Sequence, residues 1–268
     1  MKKFLRIGWL VLVLAFIYVP ILVLAVYSFT DASMVGGGIS SFSFENYINL
    51  FKNEELRNMI FGTLLLALVC AAISTVLATL GAIGTFYSKR LPKALINTAN
   101  QVPVVNADIV TGFSICILLI VILRVDKDTF IPLGIGHIVL TAPFAYLSIL
   151  PKLKQMDNSL YEAALDLGAT PAQALFKVVI PQLIPGILSG FMLAVTLSLD
   201  DYFITTYTKP STFDTISTYV VNATKGSQTE IKTALWALST LIFVIVIAIV
   251  IGMNLLSGKK KGAKNDKI

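Results

Sequence analysis

The sequence predicts an all-α transmembrane protein, six helices long with both termini cytoplasmic, and three observations carry that expectation. The first is composition: of 268 residues, 56% are apolar and only 13% are charged, against about 25% charged in soluble domains. Mean hydropathy is accordingly high, at +0.82. The second is the length of the apolar runs, about 20 residues each, which matches what a helix needs to cross the hydrocarbon core. The third is that Lys and Arg gather between alternate runs, as positive side chains do on the cytoplasmic side. Helices rather than a barrel follow because a helix satisfies its own amides in lipid, and because the period-2 alternation of membrane strands is absent.

In chain order the expected spans are 8–29, 59–87, 103–124, 133–151, 183–204 and 235–257. The first follows "MKKFLR", outruns the apolar stretch of a signal peptide and lacks a small-residue cleavage site after it, so it reads as a retained span. With both termini inside, Lys2, Lys3 and Arg6, then Lys89, Arg90 and Lys93, then Lys152, Lys154 and Lys177, then the tail "GKKKGAKNDKI" all lie on the cytoplasmic face. Most acids fall outside, among them Asp31, Glu45, Glu54 and Glu55. The net charge of +6 therefore belongs to lipid-facing inner loops and not to a nucleic-acid surface. Trp9 and Trp236 sit near span ends, where indoles anchor helices at the interface. No repeat and no linker divides the chain, so residues 1–268 read as one membrane domain.

Several chemistries are absent. Cys70 and Cys116 lie inside apolar runs, and neither needs a bridge or a metal. The single histidine, His137, leaves no metal-ligating cluster. No phosphate-cradling G-x-x-x-x-G-K-[ST] loop occurs. No catalytic residue, metal or cofactor is thus expected, and an ATP-driven process would need the nucleotide on another chain. His137 itself reads either as a packed or interfacial histidine or as a gating group.

The inner segment 152–182, "KLKQMDNSLYEAALDLGATPAQALFKVVIPQ", differs from the other loops in being amphipathic. It predicts two short helices in a turn. The first, around Tyr161 to Leu167, stops at Gly168, whose freedom at positive φ suits a helix C-terminus. Thr170 caps the second with Pro171 in its first position, and Pro181 and Pro185 are expected to end it and open the fifth span. The small face of Leu160, Ala163, Ala164 and Leu167 suits either a groove in a soluble partner or packing on its own chain.

Here a resemblance enters. Glu162-Ala163-Ala164, then Gly168, Val178 and Ile180-Pro181, resemble the E-A-A-x3-G-x9-I-x-L-P signature of permease subunits of ABC importers, with Val178 in place of Ile and Ile180 in place of Leu. The resemblance implies a six-helix permease bundle of the type I importer kind in a bacterial cytoplasmic (inner) membrane. It also implies that Glu162, Ala163, Ala164, Gly168 and Pro181 belong to a coupling helix that docks on an ATPase subunit. The likeness extends through "IYVPILVLAVYSF", "DIVTGFS" and "TLSLDDYFITTYT", which are similar to spermidine/putrescine importer permeases, most of all the second permease subunit of such systems. The implied partners are a second permease, two ATP-binding subunits and an extracytoplasmic polyamine-binding protein. Another small cargo, such as a cationic amino acid, is the alternative.

Carboxylates inside spans cost about 2.5–3.5 kcal/mol at mid-membrane and so usually face a cavity, a partner or water. Asp200 and Asp201 lie near the outer end of the fifth span and Asp108 early in the third. Successive helical residues point about 100° apart, so one of the Asp200/Asp201 pair is expected to line a path while the other bonds a neighbouring helix. With Tyr202 they offer the carboxylates and aromatic face that a polyamine would use. An interfacial cluster for the pair, and an N-terminal helix cap for Asp108, remain as the alternatives.

Overall fold

The computed structural model of the chain describes residues 2–31, 38, 41–157, 159–225, 235–244 and 247. Its helices are α1 (Lys2–Ser28), α2 (Glu45–Lys52), α3 (Glu54–Tyr87), α4 (Arg90–Val105), α5 (Asp108–Cys116), α6 (Phe130–Gln155), α7 (Ser159–Asp166), α8 (Pro171–Ala174), α9 (Ile180–Asp200), α10 (Phe203–Thr208) and α11 (Ile216–Lys225). The last is α12 (Leu235–Val244). Two π-helical stretches intervene, Ile117–Ile122 after α5 and Leu175–Val179 between α8 and α9. Among the described residues the β pairing is limited to an isolated bridge, Thr30 to Phe42. The all-α expectation therefore holds.

Four described helices are long and apolar enough to cross a membrane, or five if the bent pair of α4 and α5 counts as one span. The sixth expected span, 235–257, is described only at 235–244 and 247, and the rest of it, with the basic tail, lies outside the described residues. The chain forms two compact units, Met1–Asn58 with Val220–Ile268, and Met59–Tyr219.

In the first unit, α1 presents apolar side chains all round, none of its apolar window being buried by the rest of the chain, as suits a helix whose solvent is lipid. Its end is clamped by Asn46, whose amide donates to the carbonyls of Ser28 at 3.2 Å and Thr30 at 3.1 Å. Tyr47 adds a hydroxyl contact to Ser28 at 2.9 Å and stacks near Phe29 at 4.9 Å. Trp236 of α12 meets Tyr27 edge-on at 5.9 Å.

The second unit is built on α6 and α9. Leu133, His137, Thr141, Ala145, Ile149 and Leu153, each four residues after the last, are all fully buried on one face of α6, because side chains at i and i+4 share a helix face. Opposite them α9 buries Leu183, Gly186, Gly190, Ala194 and Ser198. The small residues set the approach: a Cβ at Gly190 would lie 3.1 Å from the Ala145 carbonyl oxygen, and one at Gly186 would lie 2.8 Å from Lys152 Cγ. In lipid, where burying apolar surface gains little, such close backbone packing is what associates helices. Ala78 and Ala82 of α3 complete this core against Tyr146, Leu150 and Val179.

Two expected spans differ in their course. The third span does not start at 103: the chain is already helical in α4, then turns through 107° before α5. Asn106 and Ala107 are extended there, with ψ of 146° and 137°, and Asp108 opens the new helix, where its charge meets the positive end of the dipole. Amphipathic α4 is tied to α6 by the Tyr146 hydroxyl donating to Asn97 at 2.7 Å. The fifth span also departs, because Pro181 and Pro185 do not interrupt the helix, which runs from Pro171 to Asp200. The π-helical turn just before Pro181 relieves the clash its ring would make in a regular α-helix, and the Gln182 amide donates to the Val178 carbonyl at 3.0 Å. The far end stops at Asp200 rather than 204, and α10 follows as a separate short helix.

Candidate functional site

Segment 152–182 folds as two helices in a turn. At its start Asp157 accepts the Ser159 backbone N–H at 2.9 Å; that bond and the Ser159 hydroxyl hold its carboxyl below the ordinary carboxylate value. At the end of α7, Gly168 has φ +85°. The Ala169 N–H reaches the Ala164 carbonyl at 3.0 Å and the Gly168 N–H reaches the Leu165 carbonyl at 2.9 Å, the two bonds of a Schellman ending. Thr170 and Gln173 then exchange bonds in a capping box that opens α8, with Pro171 in its first turn. Pro181 lies in the first turn of α9.

This geometry leaves one side of α7 open. Glu162 and Ala163 are exposed, Ala164 is half-buried, and Leu160 and Leu167 are exposed, the latter at 89%. Tyr161 packs inward on the α3/α6/α9 core and lies 5.4 Å from Tyr87. The turn is thus seated by Tyr161 while its opposite side presents small and apolar side chains with the carboxylates of Glu162 and Asp166, both exposed and four residues apart.

The second cluster surrounds the break between α9 and α10. Asp201 is extended, with ψ 123°, and its carboxylate turns inward at 8% exposure. It accepts the Ile204 N–H at 3.2 Å, the Thr205 N–H at 2.7 Å and the Thr205 hydroxyl at 2.7 Å, so it satisfies the free amides that open α10. His137 Nε2 lies 4.0 Å from the same carboxylate. Asp200 is exposed, and its backbone carbonyl accepts the Ser217 hydroxyl at 3.2 Å. Tyr202 is half-buried, edge-on to Phe203 at 5.3 Å. One acid of the pair therefore bonds a helix and the other points away from the core. Asp108 occupies the first turn of α5 without a side-chain cap bond and is exposed.

His137 is fully buried and bonds Ser198 at 2.7 Å and Thr205 at 3.1 Å. Thr141 donates to its carbonyl at 2.7 Å, and Ser74 meets Thr141 at 2.7 Å, which carries the polar chain through to α3. Sequence reasoning read His137 as packed or interfacial, or as a gating group, and did not join it to the acids; the structure packs it. The signal was available: His137, Thr141 and Ala145 are spaced by four, as are Gly190, Ala194 and Ser198. Among the described residues no group of His, Cys, Asp and Glu could hold a metal ion.

The family described as binding-protein-dependent transport system inner membrane component matches residues 94–261, more than half of the chain, with His137, Asp108, 157–181 and 198–205 inside the match. The chain belongs to this family. It is accordingly an inner membrane component of a transport system. Among its relatives, spermidine/putrescine transport system permease protein PotC of Haemophilus influenzae is 27% identical over 96% of this chain and 98% of its own length. Putrescine transport system permease protein PotI of Escherichia coli is 30% identical, covering 88% of this chain and 85% of itself. In structure, the chain is similar to one from a bacterial ABC transporter involved in the import of the acidic polysaccharide alginate, with a TM-score of 0.71 at 17% identity over 94% of each chain. It is also similar to a chain of an amino acid ABC transporter with histidines, with a TM-score of 0.52 at 17% identity, covering 78% of this chain and 98% of the other. These two likenesses establish the fold, that of ABC importer permeases.

Proposed function

We propose that this chain is the polyamine-translocating permease of a bacterial ABC importer, carrying spermidine or putrescine inward across the cytoplasmic membrane by alternating access. The observation that carries the cargo is the full-length similarity to polyamine permeases, 27% over 98% of the chain in the Escherichia coli relative PotC. The fold by itself would not choose, since structural neighbours move an acidic polysaccharide and an amino acid. The chemistry of the α9/α10 break agrees with a cationic cargo: an exposed carboxylate at Asp200 two residues before Tyr202, with Asp108 on another helix of the same unit, supplies the groups with which an ammonium makes an ion pair and a π contact.

In this reading six spans place both termini inside, and the loop 152–182 faces the cytoplasm. A second permease completes the pathway, and an extracytoplasmic binding protein delivers the cargo. Two ATP-binding subunits drive the cycle. The exposed side of α7, with Glu162, Ala163, Ala164 and the Gly168 turn, docks on one of them, and Pro181 passes the movement into α9. ATP binding and hydrolysis are then felt as a rigid-body shift of a bistable bundle. The chain itself makes and breaks no bonds.

The test is uptake of radiolabelled spermidine and putrescine in cells lacking the chain, complemented with wild type or with Asp200→Asn. Loss of uptake that wild type restores, and Asp200→Asn restores poorly at equal membrane amounts, is the expected result. Uptake unchanged without the chain, in cells with no second polyamine importer, would overturn the cargo. A cationic amino acid that is taken up in place of either polyamine would replace it.

A further inference from the structure

The bond pattern around His137 is directional. Thr205 has one hydroxyl proton, and the Asp201 carboxylate 2.7 Å away accepts it, since an ionised carboxylate only accepts. Thr205 Oγ1 then has only lone pairs for His137 Nε2 at 3.1 Å, so Nε2 carries the ring proton and Nδ1 accepts from the Ser198 hydroxyl at 2.7 Å. One neutral tautomer, assigned from its partners, satisfies the whole chain. No buried side-chain nitrogen or oxygen among the described residues lacks a partner.

The two partners of the ring lie on opposite sides of the helix break. Ser198 is in the last turn of α9 and Thr205 in the first turn of α10, and the residues between them include Asp200, Asp201 and Tyr202. The short helix is held from elsewhere too: Ile204 is fully buried where a Cβ on Gly112 would come within 3.0 Å of its Cα and one on Gly136 within 2.6 Å of its Cγ2. The α6 ring thus sits on a seated α10 and reaches back to α9. With the ring removed, the Ser217 hydroxyl on the Asp200 carbonyl at 3.2 Å remains as a tie at the break, but the side-chain link that joins α9 to α10 through α6 is lost.

We propose that His137 is a positioning residue of the translocation path, bonding both sides of the α9/α10 break and so fixing where Asp200 presents its carboxylate. It acts through Asp200 and does not touch cargo. The inference rests on the polyamine reading for its functional consequence, but its geometric content stands apart from any cargo.

The experiment has two arms. In proteoliposomes holding the whole importer, His137→Leu removes both ring bonds, while His137→Gln keeps one acceptor and one donor on a chain of similar length. At equal amounts of assembled complex, His137→Leu should raise the KM for spermidine by roughly tenfold, and His137→Gln should recover most of it. Should His137→Leu fail to assemble, Ser198→Ala removes the α9 bond alone and should raise KM in the same direction. In the second arm, with Cys70 and Cys116 replaced by alanine, Asp200→Cys is labelled by a cationic thiol reagent, with Phe176→Cys on the inner segment as control. His137→Leu should change the labelling rate at position 200 severalfold and leave position 176 unchanged. Wild-type KM together with unchanged labelling at 200 would overturn the proposal, as would a His137→Gln variant as impaired as His137→Leu. A wild-type importer that transports no polyamine, together with the expected labelling change in the Asp200→Cys variants, would overturn the cargo reading and leave the positioning role standing.

Discussion

At the scale of single residues, the most constrained position is Gly168. Its φ of +85° lies in the left-handed region, where a side chain costs about 1–2 kcal/mol, although nothing lies within 4 Å of where a Cβ would be. The penalty is therefore backbone strain and not crowding. Gly168→Ala should weaken the turn modestly, and Gly168→Asp, which adds a charge to the exposed side proposed to dock, should uncouple ATP hydrolysis from uptake. Normal spermidine uptake with Gly168→Asp in the reconstituted importer would remove the turn from the coupling role. Asp128 shows a different residue-scale effect. The Ser211 hydroxyl at 2.8 Å and then the Ser211 backbone N–H at 3.1 Å hold its carboxyl below the ordinary carboxylate value, aided by Lys127. Because the value is lowered, the loop contact is present above the ordinary range and lost as pH falls through the lowered value. Ser211→Ala should move the Asp128 titration upward, as read from the carboxyl carbon shift of labelled aspartate.

At the scale of elements, helix contact and helix ending obey different rules. The α6/α9 contact depends on missing side chains: a Cβ at Gly190 would sit 3.2 Å from the Ala145 Cα, a backbone atom that cannot rotate away. Gly190→Val should cost about 1–3 kcal/mol through forced separation of the helices, measured as a lower thermal midpoint of the detergent-solubilised complex. Gly84 makes the internal control, since a Cβ there meets nothing within 4 Å. Gly84→Ala should leave the midpoint unchanged or raise it, the gain being about 0.5–1 kcal/mol by helix propensity. For the helix endings, Thr170→Ala removes one half of the capping box with Gln173 and should cost about 1 kcal/mol locally. Faster amide exchange at Gln173 relative to α9 would be the signature, and an unchanged rate would remove the box as the support of α8.

At the scale of the whole molecule, the apolar surface is the organising fact. Leu12, Phe16, Leu65, Val76 and Leu188 are exposed on long helices, as expected where lipid or a second membrane subunit replaces water around the protein. The interior of the second unit is small and polar by comparison, with alanines, glycines and hydroxyls at the crossings and His137 among them. That pattern suits a bundle whose elements shift as bodies, because close backbone packing transmits movement with little side-chain rearrangement. Withdrawal of ATP from the reconstituted importer should abolish concentrative polyamine uptake, measured as the internal to external ratio of labelled spermidine. A ratio above one maintained without ATP would contradict the importer reading.

How much of this was legible in the sequence depends on how local the determinant is. Long apolar runs determined the class, because hydrocarbon thickness fixes the length of a spanning helix. Gly168, Thr170 and Pro171 determined the turn between α7 and α8, because helix endings are made by residues a few positions apart. The division of labour between Asp200 and Asp201 was half legible: the 100° step says that the two diverge, but not which one turns inward. That choice was decided by the amides of α10, which exist only because the helix breaks at 201, and by the burial of Ile204 against Gly112 and Gly136. The turn before α5 and the unbroken passage through Pro181 were likewise tertiary outcomes. A proline or an extended dipeptide permits either a kink or a stop, and the packing of α4 and α9 on α6 selected between them. His137 is the clearest case, since its chemistry was plain from the sequence but its partners lie 61 and 68 residues away, and only the fold brings them within reach of one ring.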